Sequence, residues 1–149
     1  MHYIKTAFIV AAVALLSACA GGPKYAEVAS AIPAQKSGEG RIYFYRESSM
    51  VGAAIQPDIQ LNGAKVGESV PGGFFFVDQK PGSMKVATST EVEKQLTFTL
   101  DPGQVRYVKT VIGFGLVAGR VYPELVDPAT GRKDIESLSY TGTPLAGKK

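Results

Sequence analysis

Histidine and cysteine are almost missing from this chain. The only histidine is His2 and the only cysteine is Cys19, so the sequence behind residue 19 offers no imidazole, no second thiol and no disulfide. That excludes Ser-His-Asp and Cys-His nucleophilic catalysis, Cys/His zinc sites and imidazole general-base chemistry for whatever domain follows. No catalytic residue, metal ligand or cofactor site is assigned, and stability must come from packing without covalent cross-links. A strong excess of one charge is lacking as well. The 16 Lys plus Arg stand against 13 Asp plus Glu, with no basic cluster interleaved with aromatics, so nucleic acid is not an expected partner. Long hydrophobic runs are also scarce. Beyond the amino-terminal region the most apolar stretch is Val111 to Ala118 (VIGFGLVA), interrupted by glycines and far short of the about 20 residues that span a bilayer.

What is present at the amino terminus is more specific. Met1 to Lys5 carries one lysine, and Thr6 to Leu16 (TAFIVAAVALL) is apolar and uncharged. The run is too short for a membrane span and has the length of a signal-peptide core. It leads into Leu16-Ser17-Ala18-Cys19, which resembles the lipobox of bacterial lipoproteins. The resemblance implies cleavage between Ala18 and Cys19, lipid on the Cys19 thiol, and a partner in the membrane. Each buried methylene contributes about 0.8 kcal/mol, and two or more acyl chains make a durable anchor. Ala20 stands where the enterobacterial sorting pattern uses Asp for inner-membrane retention. Its presence favours the outer membrane, facing the periplasm of a Gram-negative bacterium. Residues 1–18 are thus expected to be a signal peptide. Residues 19–40, rich in Ala, Gly, Pro and Ser, form the expected tether. If flexible it would span about 25 Å; a helix around Tyr25 to Ala31 is weakly signalled.

From Arg41 onward, short β-prone runs alternate with turn signals, the pattern of an all-β sandwich or barrel. Arg41 to Arg46 (RIYFYR) is β-branched and aromatic between charged ends. Asn62-Gly63 supplies residues that tolerate positive φ in a two-residue hairpin turn. Pro71-Gly72-Gly73, Pro81-Gly82 and Asp101-Pro102-Gly103-Gln104 punctuate the strands that follow. In Gln95 to Leu100 (QLTFTL), Leu96, Phe98 and Leu100 share one face while Gln95, Thr97 and Thr99 face water. Pro123 confines Gly119 to Val126 to an edge or bulge. Asp127 to Gly131 reads as a turn, Asp134 to Tyr140 as either a short helix or a last strand, and residues 141–149 as a loose tail. The expected fold is an all-β sandwich of about 7–9 short strands over residues 41–140.

The stretch Pro57 to Thr88 (PDIQLNGAKVGESVPGGFFFVDQKPGSMKVAT) resembles PEGA-type surface β-domains. Together with Ile42 to Arg46 (IYFYR) and "LDPGQVRYVKT", the region from Arg41 to Tyr140 is similar to a bacterial lipoprotein family, domain of unknown function 2846. The resemblance implies a prealbumin-like β-sandwich with no assigned reaction and no catalytic residues to carry over.

Two groups of residues remain as candidates. Alternation sends Phe75 and Val77 of the Phe74-Phe75-Phe76 run to one face and Phe74 and Phe76 to the other. Phe74 and Phe76, with Tyr43 and Tyr45, are either covered by a second layer or form an aromatic contact surface. Asp58, Asp78, Asp101 and Asp127 stand at strand ends or turns, where Asp bonds nearby backbone N–H groups. Gly113 to Gly119 lacks the spacing of a dinucleotide loop and reads as a bulge or close backbone approach. The terminal lysine, Lys149, resembles the end of the lipoprotein joined to peptidoglycan, although a solvated basic tail is the commoner case. The expected function is a lipid-anchored, non-catalytic envelope domain that binds an envelope protein or a cell-wall component such as peptidoglycan. An accessory subunit of an envelope complex and a carboxylate-based glycan enzyme are the alternatives. The enzyme would require two carboxyl groups roughly 5–10 Å apart in a cleft.

Overall fold

Short aromatic and β-branched runs, several closed by Gly or Pro, favour strands, and strands this apolar must be covered on both faces. The computed structural model describes residues 19–89, 94–114 and 119–146; the expected signal peptide and residues 147–149 lie outside them. In chain order the elements are α1 (Tyr25–Val28), a 3₁₀ turn (Ala29–Ala31), β1 (Gly40–Tyr45), β2 (Asp58–Leu61), β3 (Ala64–Glu68), β4 (Gly73–Gln79) and β5 (Gly82–Thr88). They continue as β6 (Lys94–Leu100), β7 (Val105–Phe114), β8 (Gly119–Val126), α2 (Pro128–Ile135) and β9 (Ser139–Tyr140). The strands form two sheets, ordered β8-β7-β1-β4-β9 and β3-β2-β5-β6. The all-β sandwich expected from the sequence is the observed architecture.

Several turns follow directly from residue chemistry. Asn62 (φ 50°) and Gly63 (φ 85°) join β2 to β3, and the Asn62 carboxamide accepts the Lys85 N–H at 2.8 Å, tying the hairpin to β5. Gly103 takes φ 74° in the turn between β6 and β7. Pro123 lies in β8, an edge strand, opposite Thr110 of β7. Of the Gly113 to Gly119 stretch, read as a bulge or close backbone approach, Gly113 and Phe114 end β7 and pair with Arg120 and Gly119 of β8; the rest lies outside the described residues.

The five-stranded sheet is buried on both faces. Towards the second sheet it presents Ile42, Phe44 and Phe75, which meet Ile59, Leu61, Val86 and Leu100; the Phe44 and Phe75 rings stack at 5.1 Å. Its other face carries Tyr43, Tyr45, Phe74, Phe76 and Tyr107, because β1 pairs antiparallel with β4 and parallel with β7 in registers that align these residues. That face is roofed by α1, α2 and the chain leading into β9.

The roof corrects three expectations. The segment read as a tether packs on the domain: Ala20 N–H donates to the Pro71 carbonyl (2.9 Å), Tyr25 N–H to Leu138 (3.0 Å), and Tyr140 N–H to Pro23 (2.8 Å). Tyr25, Val28 and Ile32 point into the cluster, an i, i+3, i+7 stripe that covers an aromatic face too apolar to stay bare. The tail is also engaged through residue 146: Thr141 N–H donates to Phe74 (2.8 Å), and Leu145 packs against the core. Asp127 to Gly131 opens a helix. Asp127 caps α2 by accepting the Thr130 N–H at 3.0 Å, with Pro128 at the first helical position. Asp134 to Tyr140 then contains both alternatives, the end of α2 and β9.

Candidate functional site

The cover over this face leaves a groove beside an ion pair. Period-2 alternation puts Arg41, Tyr43 and Tyr45 of β1 on that face, with Asp78 and Phe76 opposite Arg41 and Tyr43 on β4. The Arg41 guanidinium grips Asp78 with both forks, Nε to Oδ1 at 2.6 Å and Nη2 to Oδ2 at 2.9 Å. Its remaining Nη1 donates to the Pro33 carbonyl at 2.9 Å, and its plane lies 4.4 Å over the Phe76 ring. Both side chains of the pair are almost fully buried. The Arg41 guanidinium holds the Asp78 carboxyl below the usual carboxylate range, while Asp78 raises Arg41. One ion pair therefore joins β1, β4 and the Ile32–Gln35 strap.

Beside this pair runs a groove of about 440 Å³. Its floor is Tyr43 and Tyr107, stacked at 5.2 Å and 9°; its walls are Tyr25 and Ile32 on one side and Arg132 of α2 on the other. Burial pushes the Tyr43 hydroxyl up, and Arg41 opposes that shift. Arg132 is exposed and makes no ion pair among the described residues. The groove thus brings an exposed arginine, with no ion pair among the described residues, into the same lining as two stacked tyrosine rings, residue types that recognise anionic or planar groups.

The other candidates are distributed differently. Tyr43 is 8% exposed at the groove floor. Tyr45 is buried, and its hydroxyl donates to Asp134 Oδ2 at 2.7 Å, locking β1 to α2. Burial, and then Asp134, push that hydroxyl far up. Phe74 is 0% exposed, between Tyr25 and Tyr140 at 5.7 and 5.5 Å. Half-buried Phe76 lines a separate apolar hollow of about 330 Å³ with Pro33, Tyr140 and Leu145. The four aromatics therefore share one face, but a second layer covers it. Tyr107 was legible from strand alternation; Arg132 carried no sequence signal, because its helix was read as a turn.

Three of these carboxylates take separate structural partners: Asp58 pairs with Lys65 at 2.8 Å, Asp78 with Arg41, and Asp127 caps α2. Asp101 serves its turn through the backbone, its carbonyl accepting the Gln104 N–H at 3.1 Å and its N–H donating to Gln104 Oε1 at 3.0 Å. Among the described residues, no three His, Cys, Asp or Glu side chains gather where a metal could be held, and no helix is long and apolar enough to cross a membrane. Cys19 is exposed.

The sequence comparisons agree in outline. A family model described as "Protein of unknown function (DUF2846)" matches residues 36–121, from just after the strap through β1 and into β8. An uncharacterized protein of Haemophilus influenzae (strain ATCC 51907 / DSM 11121 / KW20 / Rd) is 28% identical over 147 residues, covering 93% of this chain and 87% of its own length. No solved structure matches.

Proposed function

This chain belongs to the DUF2846 family of proteins of unknown function, and from that premise we propose that it is a lipid-anchored cell-envelope protein whose sandwich binds a partner without transforming it. The observation that carries the binding reading is the groove over Tyr43 and Tyr107 with Arg132 at its rim. Tyr and Arg are the residues enriched where proteins make recognition surfaces. The groove suits a carboxylate-bearing segment of an envelope protein or of peptidoglycan, with the acid at Arg132 and the neighbouring apolar or ring group on the tyrosines. The anchoring reading rests on the lipobox-like Leu16 to Cys19 and on an exposed Cys19 immediately ahead of the folded chain. An outer-membrane, periplasm-facing location follows from Ala20 at the sorting position.

Each half has its own test. Cys19→Ala is expected to release the chain from the membrane fraction or block its processing; unchanged association and processing would overturn the anchor. For the groove, muropeptides carrying free carboxylates are titrated calorimetrically against the full chain and against Arg132→Ala. A lost contact at an exposed charge, about 0.2–1 kcal/mol, weakens binding about 1.4- to 5-fold. Equal affinities for the two proteins would remove the groove from the reading, and a stoichiometric protein partner on native co-purification would favour an envelope-complex subunit instead.

A further inference from the structure

With lipid on Cys19, the anchor would lie one residue from hydrogen-bonded Ala20, a link short enough that the fold biases which end meets the membrane. Ala20 is already bonded to Pro71, in the turn that leads into β4. The same turn touches the loop that follows β1: Gly72 N–H donates to the Arg46 carbonyl at 3.0 Å, and a Cβ on Gly72 would lie 2.7 Å from Ser48 Oγ. Cys19 therefore sits at the end of the five-stranded sheet where β1 finishes and β4 begins.

That loop carries an unusual surface. Met50 is 67% exposed and Val51 55%, the most exposed large hydrophobic side chains among the described residues. The loop holding them is braced. The Arg46 guanidinium is buried and donates to the carbonyls of Ile55 (2.6 Å), Gly52 (2.8 Å) and Ser69 (3.2 Å), with no carboxylate among its partners. Gly52, at φ 66°, lies against the Ile112 side chain. A buried cation without a counter-ion is a costly way to hold a loop, and what it holds is an apolar tip pointing outward. At the foot of the loop, Lys109 pairs with Glu47 at 3.0 Å and lies 3.9 Å from Asp134.

We propose that this end of the sandwich is a bilayer-docking surface, with the Met50–Val51 tip set into the membrane interface at the same end of the sheet as the acylated Cys19; the proposal rests on the anchored reading of Cys19. An apolar tip at the anchored end buries about 5–10 Å into the headgroup–acyl boundary. It restrains tilt as well as attachment, since anchor and tip make two points of contact and leave only rotation about the line between them. The groove over Tyr43 and Tyr107 is displaced toward the far end of the sheet, where Arg41 pairs with Asp78 and Val105. It would face away from the membrane.

The chain contains no tryptophan, so Met50→Trp and Val51→Trp each create a unique fluorophore on an exposed side chain. Lys80→Trp, exposed beyond β4 at the opposite end, is the control. Each full chain, purified from membranes, is reconstituted in phosphatidylethanolamine/phosphatidylglycerol vesicles with and without brominated acyl chains, and the acylation of Cys19 is read by mass spectrometry. The two tip variants are expected to lose about half their emission to the brominated lipid, consistent with an indole at interfacial depth, while Lys80→Trp keeps its emission. Acylated protein whose tip variants are not quenched overturns the docking surface and leaves the anchor intact. Quenching of Lys80→Trp to the same degree overturns the orientation. An unmodified Cys19 with protein free in solution overturns the anchor and the docking surface together.

Discussion

Replacing Asp78 with Asn tests whether the Arg41–Asp78 pair holds the roof to the sheet. The two side chains are 6% and 8% exposed, and the contact is bidentate at 2.6 and 2.9 Å. Asn keeps the shape of the carboxylate but removes its charge and one of its two acceptors, leaving a buried guanidinium without a counter-ion. Breaking a buried pair from one side costs about 3–5 kcal/mol. With a urea dependence of about 1.5 kcal/mol per molar, the unfolding midpoint should fall by about 2–3 M. The pH dependence has a definite sign. Arg41 depresses the native Asp78 pKa below its unfolded value, ordinarily about 3.9. The pair's contribution is therefore whole above the unfolded value and is lost as pH falls through the depressed native one. The wild-type and Asp78→Asn midpoints, measured by urea titration from neutral pH down to about 2.5, should converge on acidification. A neutral-pH shift under about 0.5 M, or a gap that does not narrow with acid, would refute the reasoning. The double variant Arg41→Met/Asp78→Leu should restore most of the stability, as apolar replacements of buried pairs do. It would still lack the Arg41 bond to Pro33 and so should lose groove binding.

Three further substitutions probe other elements. Gly131→Ala improves intrinsic helix propensity by about 1 kcal/mol, yet its Cβ would run into the Tyr107 ring beneath α2. A net loss of about 1–3 kcal/mol is expected from overpacking, and a raised melting temperature would contradict it. Gly63→Ala meets no neighbour within 4 Å but sits at φ 85°. Only the left-handed backbone penalty of about 1–2 kcal/mol should appear in chemical denaturation; a neutral result would show that the turn can relax. Tyr45→Phe removes the bond to Asp134 and should cost about 1.5–3 kcal/mol, as for a hydrogen bond to a charged group. Hydrogen exchange in α2 should rise, and unchanged protection there would argue against the link.

The sandwich itself was legible in local chemistry. The Asn62-Gly63 turn, the alternation of Leu96, Phe98 and Leu100, and the edge position of Pro123 depend on residues within a few positions of one another, so a linear reading finds them. The candidate site was half legible. Alternation set Phe74 with Phe76 and Tyr43 with Tyr45, but could not say that the β1–β4 register unites the two pairs on one face, nor whether that face was open. The answer depended on Tyr25, Val28 and Ile32, a stripe too short to stand as a helix by itself, and on an Asp-Pro helix start that looks the same as a turn until Thr130 is seen bonding Asp127.

By itself the sequence determined the strand and turn pattern, the absence of imidazole and of a second thiol behind Cys19, and the lipobox-like approach to that residue. Only the tertiary structure decided that residues 20–35 fold back as a roof, that Arg41 closes on Asp78 across 37 positions, and that Tyr43, Tyr107 and Arg132 meet at one groove. It also brought Met50 to the same end as Cys19. The reason is physical: a turn is decided by its own dihedrals and its own side chains, whereas what covers an aromatic face is decided by whichever distant segment can bury the most apolar surface there.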